Sequence, residues 1–171
     1  MAMQYDVKQA HINSSGYLVK YPVRVKGLSY TGTATAGYVV LFDTATTIPV
    51  SSSVTYARSG ATVTVSKTSH GLTTGTIIGI HFLSNSGNSA TDGTYSITRV
   101  DANSFTLTDI NTGSISSTGA VYAVGKWLMT YEPTATDIFA NVPFIPGEGV
   151  RVESGVYAEM VNVDSAQIFY G

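Results

Sequence analysis

Residues 37–43, GYVVLFD, place five apolar side chains in a row, from Tyr38 to Phe42. A strand with one face in water alternates apolar and polar residues, so an unbroken apolar run predicts a strand buried on both faces. Burying this strand requires neighbouring strands, and too few of them precede residue 37. We therefore expect the C-terminal part of the chain to supply the missing strands, which makes the domain discontinuous.

Short alternating runs at both ends of the chain provide candidates for these strands. YPVRVKGLSY (21–30) alternates up to a break at Gly27, and no segment has a helical period over a useful length. Further strands are predicted in GKWLMTYE (125–132), on both sides of residues 153–155 in GVRVESGVYAEMVNV (149–163), and in AQIFYG (166–171). The stretch VPFIPGEGV (142–150) reads as a loop, with a type II turn at Pro146-Gly147.

The middle of the chain has a different character, because it is rich in Ser, Thr and Gly and poor in charge. Strands are predicted in ATVTVSKT, GTIIGIHFL, GTYSITRV and SFTLTD, at residues 61–68, 75–83, 93–100 and 104–109. Turn signals separate them at 70–71, 92–93, 101–103 and 111–113. About five short strands suffice for a small barrel with its own core.

The fold class that follows is all-β. We expect a discontinuous antiparallel β-sandwich, jelly-roll-like, formed by residues 1–53 and 123–171, with a small β-barrel inserted at residues 54–122. Insertion at a loop between strands is tolerated because the entropy of loop closure grows slowly with loop length.

Composition narrows the classes of function. The formal net charge is -2, so nucleic acid and anionic membranes are not expected partners. Charged residues make up 12%, against the ~25% usual for soluble domains. Without cysteine there is no disulfide or thiolate site. The start of the chain has no apolar core of a signal peptide, and no stretch is long and apolar enough for a membrane helix.

Both parts of the chain resemble known virion proteins. The pattern HGLTTGTIIGI, then ATDGTYSITRVDANSFTLTD, resembles a small β-module that recurs as an insertion in bacteriophage virion proteins. YDVKQAHINSSGYLV, VRVKGLSYTGTATAGYVVLFD and IPGEGVRVESGVYAEMVNVDSAQIFYG resemble short structural proteins of tailed phages, marine and cyanobacterial ones among them. These proteins usually lack the insert. The resemblance implies a capsid decoration, or cement, protein located on the capsid surface of the virion, with the major capsid protein as partner and a trimer as its assembly.

Two nearby histidines, His70 and His81, are the first candidates for a reactive or metal site. Asp92, Asp101 or Asp109 could add carboxylates, but their spacing matches no metal motif. His70 precedes a glycine in a predicted turn, and His81 faces away from Ile80 and Phe82 on a predicted strand. We therefore predict structural roles for both histidines, with no metal or cofactor.

The sequence evidence for other kinds of catalytic or phosphate-binding site is also weak. A Ser-His-Asp triad lacks a Gly-x-Ser-x-Gly elbow. Glu148, Glu153 and Glu159 are close in sequence, but the first is predicted in a loop and the other two on outward strand positions. The glycine-rich TGTATAG (31–37) precedes a strand rather than a helix, so a phosphate site is not expected. The protein is predicted not to be an enzyme.

The alternative to a catalytic site is a surface that binds another molecule. The eleven tyrosines are spread through nearly all predicted strands, which favours cross-strand pairs and subunit contacts over one sugar platform. A rival hypothesis is a tail or fibre protein that binds a host surface glycan, with the polar loop 84–92 as its location. Residues 1–15 are interpreted as an arm that adds a strand to the sheet of a neighbouring subunit, and the nearby basic residues at 8, 20, 24 and 26 are interpreted as contacts for an acidic capsid surface.

Overall fold

The computed structural model describes residues 7–45, 53–83, 87–137, 139–143 and 149–171. These residues contain antiparallel strands and no helix, so the predicted all-β class is confirmed. It follows that no helix capable of crossing a membrane occurs in that part of the chain. The strands are β1 (Lys8–Ile12), β2 (Gly16–Val19), β3 (Val23–Gly32), β4 (Tyr38–Asp43), β5 (Thr55–Ser66), β6 (Ile77–Phe82), β7 (Gly93–Ser96), β8 (Thr98–Arg99), β9 (Ser104–Val124), β10 (Lys126–Tyr131), β11 (Phe139–Pro143), β12 (Val150–Val152), β13 (Val156–Val161) and β14 (Val163–Tyr170).

The chain divides into two compact units. Met1–Ala45 and Leu128–Gly171 form the first unit, and Thr46–Trp127 form the second. The sequence predicts that the inserted unit begins at residue 54 and ends at residue 122. In the structure the second compact unit begins at residue 46 and ends at residue 127. The strands on either side of the second unit, β4 and β10, are neighbours in one sheet. The second unit is therefore inserted into the connection between two adjacent strands.

The first unit is a sandwich of two sheets. One sheet has the order β1-β14-β3-β11, with β12 also paired to β3, and the other has the order β10-β4-β13-β2. Their inner faces share one apolar core in which Leu28, Leu41 and Ile168 are fully buried. All six residues of β4 are buried, as the apolar run in residues 37–43 predicts.

The break at Gly27 is a β-bulge in the middle of β3. The partner strand β14 pairs Phe169 with Gly27 but Tyr170 with Val25, so one residue of β3 is skipped. A skipped residue reverses the alternation of side chains. For this reason Val25 before the bulge and Leu28 after it both point into the core.

The second unit is a small barrel with a core of its own. Strand β9 pairs with β5, β6 and β8, and β6 pairs with β7. Only Ile97 separates β7 from β8. Strand β9 pairs with β6, β6 pairs with β7, and the chain continues into β8, which pairs with β9 again. The strands therefore form a closed circuit. The circle encloses a cluster that includes Val63, Ile80 and Phe105, each completely buried.

Two predicted details of the barrel are wrong. The predicted turn at residues 111–113 is part of the long strand β9, which bulges there: Thr62 pairs with Thr108, but Gly60 pairs with Gly113. The predicted strand 93–100 is divided at Ile97, which turns its side chain into the core. Both differences arise because a small barrel must bend its strands to close.

The N-terminal arm also needs correction. Residues 8–12 form β1, which pairs with β14 of the same chain, and Ala10 and Ile12 pack against the sandwich core. These residues belong to the sheet of their own chain, so the predicted arm does not extend to them. Residues 1–6 and the predicted turn at Pro146-Gly147 lie outside the described residues.

Candidate functional site

His70 organises the turn that follows β5. Its Nδ1 accepts the backbone N–H of Leu72 at 3.0 Å, so the ring proton must sit on Nε2. Nε2 then donates to the carbonyl oxygen of Asp101 at 3.0 Å, and the ring packs edge-on against Phe105 at 5.3 Å. Both nitrogens are engaged by backbone groups, which agrees with the predicted structural role.

Asp101 closes the neighbouring turn and contributes no carboxylate to His70. Its Oδ1 accepts the backbone N–H of Asn103 at 2.6 Å. This hydrogen bond to the charged form is the main cause that holds the pKa of Asp101 below its ordinary value. The hydrogen bond that joins the histidine and the aspartate uses the main-chain oxygen of Asp101 rather than its carboxylate.

His81 lies on the outer side of β6, opposite Ile80 and Phe82 as predicted. Its Nδ1 lies 2.7 Å from Oδ2 of Asp92, and the other carboxylate oxygen of Asp92 accepts the backbone N–H of Phe82 at 2.8 Å. An aspartate that orients a histidine is also found in catalytic triads. Here the histidine side chain is only 1% exposed. A general base must reach its substrate, so this pair anchors residue 92 to β6 rather than performing catalysis.

Asp109 forms a buried ion pair that the sequence interpretation did not anticipate. Its Oδ2 lies 3.1 Å from Nη2 of Arg58, and both side chains are at most 1% exposed. Arg58 also donates from Nη1 to the carbonyl oxygens of Asn88 and Ser89, at 3.2 and 2.7 Å. The guanidinium therefore bridges the bulge of β9 and the loop before β7.

Further hydrogen bonds hold the end of this loop at Thr91. Asp109 Oδ2 accepts its N–H at 2.9 Å, Tyr95 Oη donates to its carbonyl at 2.6 Å, and Asn111 Nδ2 donates to its hydroxyl at 3.0 Å. Burial, followed by the charge of Asp109, raises the pKa of Tyr95 to about 12. The described part of the proposed glycan loop, residues 87–92, is thus fixed at both ends.

Two of the three glutamates lie within the described residues, and their surroundings differ. Glu148 lies outside the described residues. Glu153 is exposed in the bend after β12. Glu159 lies on the face of β13 opposite the core residues Val156 and Ala158, but it is only 9% exposed. After burial, its charge is the second cause that raises the pKa of Tyr38 to about 12.

The glycine-rich segment 31–37 connects β3 in one sheet with β4 in the other, as the strand interpretation predicts. A Cβ on Gly37 would lie 1.9 Å from the carbonyl oxygen of Val161. Glycine is required here for close backbone packing, with no need for a phosphate to explain it. Tyrosines pair across the structure, for example Tyr17 with Tyr157 at 5.0 Å between ring centroids.

Within the described residues, no three His, Asp or Glu side chains converge as metal ligands. The polar groups that do converge, at Arg58 and at Asp92, contact backbone groups and each other. What this arrangement provides chemically is a rigid polar loop on a barrel, and the loop can offer backbone and hydroxyl groups to a ligand.

Comparison of the chain with known protein families, curated proteins and solved structures finds no significant match. The residue that sequence reasoning missed is Arg58, which stands in an ordinary alternating strand. Its signal was an arginine directly after Tyr56 and Ala57 in a chain with few charges, but the identity of its partner depends on the barrel closing.

Proposed function

We propose that this chain is a non-enzymatic structural protein of a phage virion that decorates the capsid shell and stabilises it. The observation that carries the proposal is the architecture, a β-sandwich with a separate β-barrel unit inserted between adjacent strands, which is what the expected resemblance of both parts to phage virion proteins implies. The low charge of the chain adds support, because interfaces built from backbone and tyrosine contacts need few ion pairs.

The geometry of the polar groups supports a role without catalysis. The ring nitrogens of His70 contact main-chain groups, and His81 is buried beside Asp92. Both histidines are thus placed to fix the turns and loops of the barrel. The polar chemistry of the barrel is used to hold its own loops.

The proposed mechanism is mass action. A protein that binds the assembled shell, and not its free subunits, stabilises the shell by its binding free energy. A trimer that engages three shell subunits multiplies this effect, because the second and third contacts form at high effective concentration. The sandwich would dock on the shell, and the barrel would project from it.

The test is the number of copies per particle, measured by mass spectrometry of purified virions against the major capsid protein. A number comparable to that of the shell protein supports decoration. A few copies would favour the tail, and absence from the particle would overturn a virion role altogether.

The rival function, recognition of a host surface glycan by a tail or fibre protein, has one observation in its favour. Residues 87–92 form a polar loop held rigidly by Arg58 and Asp109. A preorganised loop binds with a smaller entropic cost. Binding of the purified protein to host cells, abolished by substitutions in this loop, would support that function over decoration.

A further inference from the structure

Two tyrosine side chains of the sandwich unit, Tyr21 and Tyr170, meet through their hydroxyl groups. The two hydroxyl oxygens are 3.1 Å apart, and the ring centroids are 6.4 Å apart with an angle of 66° between the ring planes. Tyr21 lies in the connection between β2 and β3, and Tyr170 is the last residue of β14. The contact therefore joins two segments that are 149 positions apart in the sequence.

The backbone around both tyrosines fixes this contact. Pro22 follows Tyr21 directly, and the residue before a proline is confined to extended conformations. The backbone groups of Arg24 and Gly171 exchange two hydrogen bonds, at 3.1 and 3.0 Å. These bonds lie close in sequence to Tyr21 and next to Tyr170, so they hold the two rings at a defined separation.

The two rings differ in their access to solvent. Tyr21 is 50% exposed, whereas Tyr170 is 8% exposed. The hydrogen bond to Tyr21, followed by burial, raises the pKa of Tyr170 above its ordinary value, as expected for a hydroxyl group that donates its proton in that bond. The oxygen of Tyr21 is then the acceptor, and its own proton faces water. Tyr21 can therefore exchange electrons and protons with a dissolved molecule, and Tyr170 can do so through Tyr21.

We propose that Tyr21 and Tyr170 form an oxidative cross-linking site, at which a one-electron oxidant joins the two rings as an intramolecular dityrosine. The oxidant takes one electron from Tyr21, and the hydroxyl proton of Tyr21 passes to water. The hydroxyl hydrogen atom of Tyr170 then moves across the hydrogen bond, which restores Tyr21 and leaves the radical on Tyr170. A second oxidation of the exposed Tyr21 completes the pair of radicals.

The two radicals combine through carbon. In a phenoxyl radical the unpaired electron is shared among the oxygen and the ring carbons ortho and para to it, and the para carbon carries the side chain. An ortho carbon of Tyr21 therefore bonds to an ortho carbon of Tyr170, and the hydrogen on each of these carbons is transferred to the neighbouring oxygen. In total the pair loses two electrons to the oxidant and two protons to water, and one carbon–carbon bond forms. A cleft of about 140 Å³ beside both rings leaves space for them to turn towards each other.

Other tyrosine pairs are poorer candidates, because a tyrosine is oxidised readily only when its proton can leave. The ring centroids of Tyr17 and Tyr157 are 5.0 Å apart, and those of Tyr30 and Tyr131 are 4.8 Å apart. The hydroxyl oxygens of Tyr17 and Tyr30 are buried, so water does not reach their protons. Exposure of one hydroxyl group, together with direct contact to the second, distinguishes the pair at 21 and 170.

A link between these residues would connect the two segments that build the discontinuous sandwich. The chain has no cysteine, so dityrosine would supply the kind of covalent closure that a disulfide supplies in other domains. The site does not depend on the proposed decoration of a capsid, because it is defined by the geometry of the two rings alone.

The test is oxidation of the dilute full chain by tris(bipyridine)ruthenium(III), generated with light and persulfate, followed by mass spectrometry. The expected product is a monomer that is lighter by two hydrogen atoms. Trypsin releases Tyr21 in peptide 21–24 and Tyr170 in peptide 152–171, and the cross-link should join these two peptides. Fragmentation of the joined peptides distinguishes Tyr170 from Tyr157, the other tyrosine of the second peptide.

Two variants and a denatured control separate the site from general oxidation. Tyr21→Phe, at a half-exposed position, should reduce the yield of linked monomer to the level of the wild-type chain oxidised in denaturing urea, where the rings are apart. Tyr131→Phe changes a partly buried tyrosine elsewhere in the same unit and should leave the yield unchanged. A yield that survives Tyr21→Phe, an equal yield in urea, a link from Tyr21 to Tyr157, or covalent dimers as the main product would overturn the proposal.

A second readout is the stability of the linked protein. The link should raise the Tm of the sandwich by roughly 5–15 °C, because it restricts the unfolded chain as a disulfide across a long loop does. An unchanged or lowered Tm would mean that the rings must leave their native positions to combine, which contradicts a site prepared by the fold.

Discussion

Individual buried polar side chains fix the positions of loops and strands in the barrel. Arg58 contacts the carbonyl oxygens of Gly60, Asn88 and Ser89 in addition to the carboxylate of Asp109. A buried ion pair adds little over an apolar pair of the same shape, but removing one partner leaves the other charged and desolvated. The cost of truncating Arg58 should therefore greatly exceed that of removing an exposed arginine.

Arg58→Met is expected to destabilise the barrel by about 3–5 kcal/mol, because Asp109 loses its cation in a buried site. Urea denaturation followed by barrel-specific NMR signals measures this loss. Arg99→Met, at an exposed position, is the matched control and should change the free energy of unfolding by less than about 0.5 kcal/mol. Equal effects of the two substitutions would contradict the role given to the ion pair.

Two tyrosines, Tyr38 buried and Tyr95 partly buried, predict a loss of stability in alkali. Burial, followed by a nearby carboxylate, raises the pKa of Tyr95 and of Tyr38 from 10.0 to about 12. Between these values the folded chain keeps protons that the unfolded chain releases. The two tyrosines therefore contribute fully to the stability of the fold below pH 10, and their contribution falls as the pH rises towards 12.

The measurement is the urea midpoint as a function of pH, with tyrosinate absorbance as a second probe. Tyr95→Phe should flatten the alkaline decline of the barrel, although it lowers stability at neutral pH by removing the hydrogen bond to Thr91. A decline of the same steepness in the variant would show that Tyr95 does not contribute to it.

Connections between strands depend on a few contacts that are distant in sequence. Asp43, at the end of β4, is 4% exposed, and its carboxylate accepts the N–H groups of Glu153, Ser154 and Gly155 at 2.8, 2.9 and 3.3 Å. These bonds tie β4 to the bend between β12 and β13, which belong to different sheets. The bend was recognised from its sequence, but its acceptor was not.

Asp43→Ala is expected to destabilise the sandwich by about 2–4 kcal/mol, because three backbone donors lose a charged acceptor. Urea denaturation followed by signals of the sandwich unit provides the measurement. Asp164→Ala removes the same charge from an exposed position on β14 and is the control. A loss below about 1 kcal/mol in Asp43→Ala would mean that water replaces the carboxylate at this bend.

The approach of the 31–37 connection to β13 leaves no room for a side chain. Gly37→Ala would bring Cβ to 1.9 Å from the carbonyl oxygen of Val161, so the backbone must shift, at a cost of about 3 kcal/mol or more. Gly16→Ala, whose Cβ would lie 3.7 Å from its nearest neighbour, is the control in the same unit. Thermal unfolding of the two variants compares them directly, and equal Tm values would contradict the close approach.

The division into two units has a consequence for folding of the whole molecule. The barrel closes its ladder on itself through β9 and buries its own core. We therefore expect residues 46–127, expressed alone, to fold cooperatively. Dispersed amide NMR signals that match those of the full chain would support this, and a poorly dispersed spectrum would show that the barrel needs the sandwich.

Several features of this protein are predictable from local pattern. The double-sided burial of residues 38–42, the switch of faces at Gly27 and the bend at 153–155 all follow from side-chain alternation and turn residues. Each of them depends on residues adjacent in sequence, for which period and backbone preference are sufficient guides. The predicted turn at 111–113 failed because a bulge and a turn use the same residue types.

Whether the chain has an all-β fold with an inserted unit was already determined by the order of its apolar runs. Which polar groups meet was decided only by the tertiary structure: Arg58 with Asp109, Asp43 with the bend at 153–155, and Arg24 opposite Arg151. The pattern of a strand specifies which face a side chain occupies, but its partner depends on which strands become neighbours. In a chain with so few charges, that choice of neighbours creates both the buried ion pair of the barrel and the carboxylate contacts that hold the bend of the sandwich.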